Sequence, residues 1–340
     1  MTTRPPQTVP LPWSLLCDPR DRQGLVRDGD GLVSGAGARW PIHPGELPDL
    51  FVPTQGRGWS RETFDAHYEE VGPYQGPLDY EVSQGGHPNL TRFRQGRVKE
   101  VLWSSIHPAA HDQVLDVGCG AGWFLARIAE RYAEAQRPAL FVGVEASRTQ
   151  AKLAAQRLGG LRYGAGLAVL ANAEALPFAD GTFHWVTCSE TLEQVRDPGR
   201  AIAEMARVLV PGGRLLISVP SRLAERSWDQ VLAPLRFAKR WRQPRGVVRK
   251  FDEYYAPLYP EELTRMVEVT GLEIERQCAV GLAPHPHYFR YVPEGLMPSV
   301  VAALEHLDRR WAPWCPALCG TLLLWAKKSA AESNAPLSGP

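Results

Sequence analysis

The stretch Val114-Leu-Asp-Val-Gly-Cys-Gly-Ala-Gly122 places Gly118, Gly120 and Gly122 at every second position after Asp116, with Cys119 between the first two glycines. Trp123 to Tyr132 then runs at helical spacing, so the stretch reads as strand, tight turn and helix. Glycine is needed where the backbone turns sharply off a strand end, and where a bound ligand lies against peptide groups that a Cβ would obstruct. One unit further on, Glu145 and Ala146 follow an apolar run. A carboxylate at such a strand tip accepts hydrogen bonds from the two hydroxyls of a ribose. Other reactive or polar groups follow later apolar runs: Asn172, Ala173 and Glu174, then Ser189, Glu190, Glu193 and Gln194. Where a reaction removes a proton, Glu190, Glu193 or a tyrosine supplies the base.

The elements that must position these residues alternate. Strand signals fall at 113–117, 140–144, 168–170, 183–187 and 214–219, with helices between them at 123–132, 149–158 and 200–208. That rhythm builds parallel βαβ units and predicts an α/β doubly wound sheet. In such sheets the ligand lies beyond the carboxyl ends of the strands, where the residues named above stand. Arg207-Val-Leu-Val-Pro-Gly-Gly213 ends the third of these helices with a Pro-Gly-Gly turn ahead of the fifth strand. The alternate spacing of the three glycines departs from the two-then-three spacing of the dinucleotide fingerprint, which argues against a nicotinamide-dependent oxidoreductase.

The chain has 340 residues and a net charge of +1, enough for one main domain with a small appendage. No leader pattern opens it, and no window approaches the roughly 18 uninterrupted apolar residues of a membrane span, so a cytoplasmic protein is expected. Its six cysteines are scattered in apolar surroundings, as reduced buried thiols are, and Cys315 with Cys319 lacks partners for a metal site.

The run from Val114 to Pro220 resembles the class I S-adenosylmethionine-dependent methyltransferases, in the branch related to ubiquinone and menaquinone biosynthesis. The resemblance implies a mostly parallel seven-stranded sheet of the Rossmann-like methyltransferase type, with S-adenosyl-L-methionine as cofactor and no metal. It gives the methionine part of the cofactor to Asp116 and the glycine loop, the ribose to Glu145 and the adenine to Asn172 and its neighbours. The family has aspartate where this chain has Asn172 and His184, and often histidine where it has Gln194, which lacks histidine's proton-transfer capacity. Pro260 at N1 begins a helix to about Val269, which Gly271 ends. The resemblance puts Tyr254 and Tyr255 at the acceptor pocket, a strand near 272–279 after that helix, and a final antiparallel strand near 320–326 at the sheet edge.

Residues 1–55 resemble the short zinc ribbon that precedes or partners some methyltransferases, through Trp40-Pro-Ile-His-Pro-Gly45 and its neighbours. The four ligand positions of that family fall on Cys17, Arg20, Ser34 and Gly37, and one thiolate cannot hold a structural zinc, so a metal-free relic is expected, with an ordinary Pro/Gly-rich arm as the alternative. Residues 56–112 read as a helical lid whose Tyr74, Tyr80, His87 and Arg92 either reach the substrate or pack on the sheet. The methyltransferase domain then covers 113–328, and 329–340 is a tail. Within that domain, 221–257 is a basic, aromatic insertion, with nine basic against two acidic residues between Ser221 and Lys250. Such a stretch grips phosphates, lies on an anionic membrane surface or covers a lipid-like substrate, or is a solvated lid helix with snorkelling arginines. The near-neutral chain favours a small-molecule or lipid-like acceptor over RNA; a fold retained without catalysis is the remaining alternative. Nothing in the sequence fixes an oligomeric state.

Overall fold

In the computed structural model the described residues are 13–53, 61–71, 88–133, 139–161, 164–238, 255–284, 289 and 292–330. Tyr74, Tyr80, His87, Tyr254 and positions 239–250 of the basic stretch lie outside them, as do the side chains of Arg92 and Arg236.

The chain begins with a four-stranded antiparallel meander of β1 (Leu25–Asp28), β2 (Gly31–Ser34), β3 (Arg39–His43) and β4 (Leu47–Pro48). Its inner end is held by polar groups. The Trp40 indole donates to buried Asp18 at 2.9 Å, and the Arg20 guanidinium lies 4.5 Å from the centre of the Trp40 ring. Ser34 Oγ accepts from the Ala38 N–H at 3.1 Å, and the Gly37 N–H bonds the Ser34 carbonyl. Among the described residues no group of three or more His, Cys, Asp or Glu side chains is arranged to hold a metal.

The main sheet has seven strands. Five are parallel: β5 (Gln113–Val117), β6 (Leu140–Glu145), β7 (Ala165–Leu170), β8 (Phe183–Ser189) and β9 (Leu209–Pro220). β10 (Leu272–Leu282) and β11 (Cys319–Lys328) complete the order β10-β11-β9-β8-β5-β6-β7. The final strand is not at the sheet edge as its sequence position suggests. β11 is inserted between β9 and β10, antiparallel to both, and is buried along most of its length, whereas β10 shows charged residues to solvent as an edge strand does. The Pro-Gly-Gly segment belongs to β9 itself, where pairing with β8 skips from Leu209 to Arg214 and the intervening residues bulge out, with Gly212 at φ +81°.

Adjacent residues along each strand supply opposite faces. Leu115, Val142, Val186 and Ile217 pack with Ile202 and Met205 of one helix and Leu263 and Val267 of another, α5 (Pro198–Val208) and α7 (Pro260–Glu268). Val114, Phe141, Leu216 and Leu323 pack on the other face against α2 (Pro88–Ser105), α3 (Trp123–Ala133) and α4 (Arg148–Gly159). α1 (Arg61–Val71) lies beside α4, α6 (Arg222–Ala238) follows β9, and α8 (Met297–Trp311) packs on α2 and β10. Helix starts follow local chemistry: Asp197 accepts from the Arg200 N–H ahead of Pro198 in α5, and Ser147 does the same for Gln150 in α4. α2 is pinned by Arg97, whose Nε lies 2.7 Å from Asp308; the other oxygen of that buried carboxylate accepts from the Gly281 and Leu282 N–H groups. Among the described residues no helix is long and apolar enough to cross a membrane.

Candidate functional site

The glycine loop leaves β5 with Gly118, Gly120 and Gly122 at φ +75°, +54° and +73°, a conformation that side chains rarely tolerate. It is fastened to the neighbouring strand. The Gly118 and Cys119 N–H groups both bond the Val144 carbonyl, at 2.8 and 3.0 Å. Cys119 turns its thiol toward Gly143, so its contribution at the ligand side is backbone. Glu145, only 9% exposed, then closes the loop from β6: Oε2 accepts from the Gly120 N–H at 2.9 Å, and Oε1 from those of Ala146 and Ser147. Burial raises its pKa, opposed by these three hydrogen bonds. A carboxylate offers about four acceptor positions, so about one is left for a ligand hydroxyl.

Asp116 is buried at the end of β5 and accepts from Thr187 Oγ1 at 2.7 Å. Burial pushes its pKa up to about 6, against the pull of Thr187 and of Lys99. Lys99 reaches this point from α2, its Nζ 4.7 Å from the centre of the Phe124 ring and 2.8 Å from Ser189 Oγ. Ser189 in turn shares a hydrogen bond with Ser218 at the end of β9. Asp116, Ser189 and Lys99 therefore meet between the ends of β5 and β8. Here the strand order reverses, since β6 and β7 continue to one side and β9 to the other.

Just beyond, Glu190 holds a left-handed backbone at φ +53°, strain of a kind that collects at functional sites. Glu193 is 2% exposed, and its Oε2 has no hydrogen-bond partner among the described residues. Burial first, and Glu190 second, hold its pKa well above the ordinary carboxylate range. The end of the insertion docks here, with the Ala256 N–H on the Glu193 carbonyl and Leu258 bridged to Ser221. That brings the Tyr255 hydroxyl to Glu225 Oε1 at 3.3 Å. Burial, then Glu225 and Glu193, raise the pKa of this phenol well above its usual value. Glu193, Glu225 and Tyr255, three groups able to carry a proton, thus stand together beyond the end of β8.

Asn172 and Glu174 stand after β7 as the sequence indicates, but their side chains are engaged within the protein. Asn172 Oδ1 accepts from the Glu174 N–H and its amide donates to the Val52 carbonyl, while Glu174 Oε1 accepts from the N–H groups of Arg196 and Asp197. Ala173 is buried between them. His184 accepts from the Gln113 N–H, a structural role. Lys99, Glu225 and Asp65 were not singled out by sequence reasoning. Asp65, on α1, accepts from the Arg148 N–H at 2.7 Å and so joins that helix to the start of α4, next to Glu145. Nothing in the sequence pattern marks Lys99 among the other cations of α2.

The arrangement fits an adenosyl cofactor. A Cβ at Gly120 would meet no protein atom within 4 Å, so space rather than protein lies over that peptide; a Cβ at Gly118 would collide with Thr191 Oγ1. The two glycines therefore separate experimentally. Gly120→Ala costs about 1 kcal/mol of stability through its left-handed backbone and loses most affinity for S-adenosylhomocysteine. Gly118→Ala is the less stable protein in thermal melts. Wild-type titration curves for Gly120→Ala would remove the loop from the cradle.

A family model described as a methyltransferase domain matches residues 115–217. The ubiquinone biosynthesis O-methyltransferase of Thiobacillus denitrificans is 34% identical over 187 residues, 54% of this chain and 74% of that protein. A ubiquinone/menaquinone biosynthesis C-methyltransferase of Geobacter sulfurreducens is 35% identical over 143 residues, 41% of this chain and 53% of that protein. An O-methyltransferase of Penicillium expansum is 32% identical over 152 residues, 44% of this chain and 50% of that protein. The chain thus spans about three quarters of the first relative and about half of the other two. The crystal structure of the [4+2]-cyclase SpnF aligns with a TM-score of 0.50 at 20% identity, covering 83% of this chain and 99% of that one, a likeness of fold alone. With its glycine loop, strand order and relatives in agreement, the chain belongs to the class I S-adenosylmethionine-dependent methyltransferases, in the ubiquinone-like branch.

Proposed function

We propose that the chain methylates a hydroxyl group of a small or lipid-like organic molecule, with Glu193 as the proton acceptor. The observation that carries this reading is the buried Glu193 carboxyl with a hydrogen-bonding oxygen unfilled among the described residues, beside Glu190 and the Tyr255–Glu225 pair. When bound, the cofactor supplies a methyl group on a sulfonium that departs as a neutral thioether, so no further leaving-group activation is needed. The chain's work is alignment, exclusion of water and removal of the hydroxyl proton. Asp116 and the loop of Gly118, Cys119, Gly120 and Gly122 hold the methionine end, with Ser189 opposite. Glu145 and Ala146 hold the ribose, and Asn172, Ala173 and Glu174 close the adenine side largely through backbone. Glu193 would take the proton that the acceptor hydroxyl releases when its oxygen is methylated. Its raised pKa makes it a better match for a weakly acidic hydroxyl than an ordinary carboxylate. The two relatives named for O-methylation support oxygen as the nucleophile.

The N-terminal segment, residues 1–55, we read as a metal-free relic of a zinc ribbon. In support, Arg20 lies over Trp40 and Ser34 Oγ is committed to Ala38, at two of the four positions where a ribbon ligates zinc. Elemental analysis of the purified protein is expected to find no stoichiometric zinc; one equivalent would sink this reading.

Two experiments address the reaction. Incubation with methyl-labelled S-adenosylmethionine and a host extract should put label in the organic-soluble or small-molecule fraction; label in RNA would turn the basic insertion into a nucleic-acid grip and reverse the proposal. The second is a pH series. Because the base form is the deprotonated one and its pKa is raised, kcat/KM should climb with pH along a limb above the usual carboxylate range. Glu193→Gln should lower kcat about 10²- to 10⁴-fold and abolish that limb while leaving S-adenosylhomocysteine binding intact. A glutamine variant with an unchanged profile would exclude Glu193.

A further inference from the structure

We infer that the outer face of α8, with the turn Ala312–Trp314 that follows it, docks on an anionic phospholipid bilayer. Around α8 the apolar residues cover a wider arc than the body of the protein takes up. Val301 and Leu304 turn inward onto Leu90 and Phe93 of α2, and Asp308 is buried on the same side against Arg97. On the adjoining arc Leu296, Val300, Ala303, Leu307 and Trp311 recur at steps of three and four, one file along the helix. Leu307 is 42% exposed, Trp311 48% and Leu296 57%, and Trp314 in the next turn is 75% exposed. Single exposed apolar residues are ordinary; large ones set in a file mark a surface that meets a partner.

The charges around the file select the partner. Arg309 and Arg310 occupy the last turn of α8, with the Arg310 guanidinium 5.2 Å from the centre of the Trp311 ring. The acids of the helix stand elsewhere: Asp308 is engaged with Arg97, and Glu305 lies about half a turn around the helix from Leu307. Just past the tryptophan turn, Pro316–Leu318 packs on α6, where the Trp228 indole donates to the Leu318 carbonyl at 2.8 Å. Val231, further along α6, is again exposed. α6 leads into the stretch in which nine basic residues outnumber two acidic ones, within a chain of net charge +1. Charge of one sign gathered in this way suits an extended anionic surface. Tryptophan rings and long arginines are the side chains that settle where headgroups meet acyl chains. Glu225 stands on α6 three residues before Trp228 and bonds Tyr255, so the docked surface adjoins the acceptor side of the crevice. A lipid-like acceptor is then taken from the bilayer itself, a step that rests on the reaction proposed above.

The test is flotation of the full chain with vesicles of phosphatidylcholine, alone or mixed equally with phosphatidylglycerol. No acceptor is present, so the outcome is independent of the proposed reaction. Wild-type protein is expected to float with the mixed vesicles, more weakly as salt rises, and to bind the neutral ones at least about ten-fold less well. The double variant Trp311→Ser with Trp314→Ser should lower affinity for the mixed vesicles about ten- to a hundred-fold, because two rings no longer leave water. It should keep wild-type thermal stability and S-adenosylhomocysteine binding. Arg309→Gln with Arg310→Gln should narrow the difference between the two kinds of vesicle, and this variant decides if the tryptophan variant does not fold. Wild-type protein that floats with neither vesicle would overturn the inference. A tryptophan variant that floats as well as wild type would also overturn it, moving the binding to the basic stretch. So would a wild-type dimer that the tryptophan variant abolishes, since the face would then lie between two copies.

Discussion

Three backbone N–H groups converge on one buried carboxylate, Glu145, and the geometry of the ligand end of the sheet depends on that convergence. Two of the three belong to the start of α4 and the third to the glycine loop, so a single side chain fixes the exit of β6 relative to the exit of β5. Glycine adopts the positive φ values of the loop at little cost, so these hydrogen bonds hold an unstrained turn in one place. The Val144 carbonyl, bonded twice by the loop, supplies the rest of that constraint. From the outside, Asp65 of α1 accepts from the same helix start and ties the N-terminal helices to it.

Charge is distributed along the strand ends in an order that separates two kinds of chemistry. Asp116 and Lys99 lie where β5 and β8 part, close enough to moderate one another's burial. Beyond β8 the groups are acids and a phenol, Glu193, Glu225 and Tyr255, each with its pKa raised. The same backbone step, from Ser189 to the left-handed Glu190, divides them.

The sequence read well where structure is made locally. The glycine loop, Glu145 at the strand tip, the five parallel strands and the helix beginning at Pro260 all follow from turn chemistry and periodicity within a few residues. What it could not reveal depends on pairing across long separations. Lys99 and Ser189 are 90 residues apart, and Asp65 and Arg148 are 83 apart; only the docking of α1 and α2 brings them together. The slot taken by β11 is likewise a matter of which strand edge remains open, although its unbroken apolar pattern was compatible with an interior position. Side-chain engagement was the other blind spot: Asn172 and Glu174 occupy the expected turn, yet their polar atoms serve the protein's own backbone.

One feature of the N-terminal segment bears on behaviour in crowded solution. Past β4, the Leu50 N–H donates to the Leu170 carbonyl at 2.8 Å and Asp49 bridges Leu170 in parallel, so the chain lays itself along the outer margin of β7. β7 is buried throughout and holds no charged residue, the composition that makes an open strand margin adhesive toward other unfolded or partly folded chains. With that margin screened, and Asp49 held beneath Arg61 and His43, the side of the sheet most prone to stack with a second molecule is withdrawn from collision. The opposite margin, β10, needs no such cover, because Glu273, Glu275 and Arg276 already make it repellent.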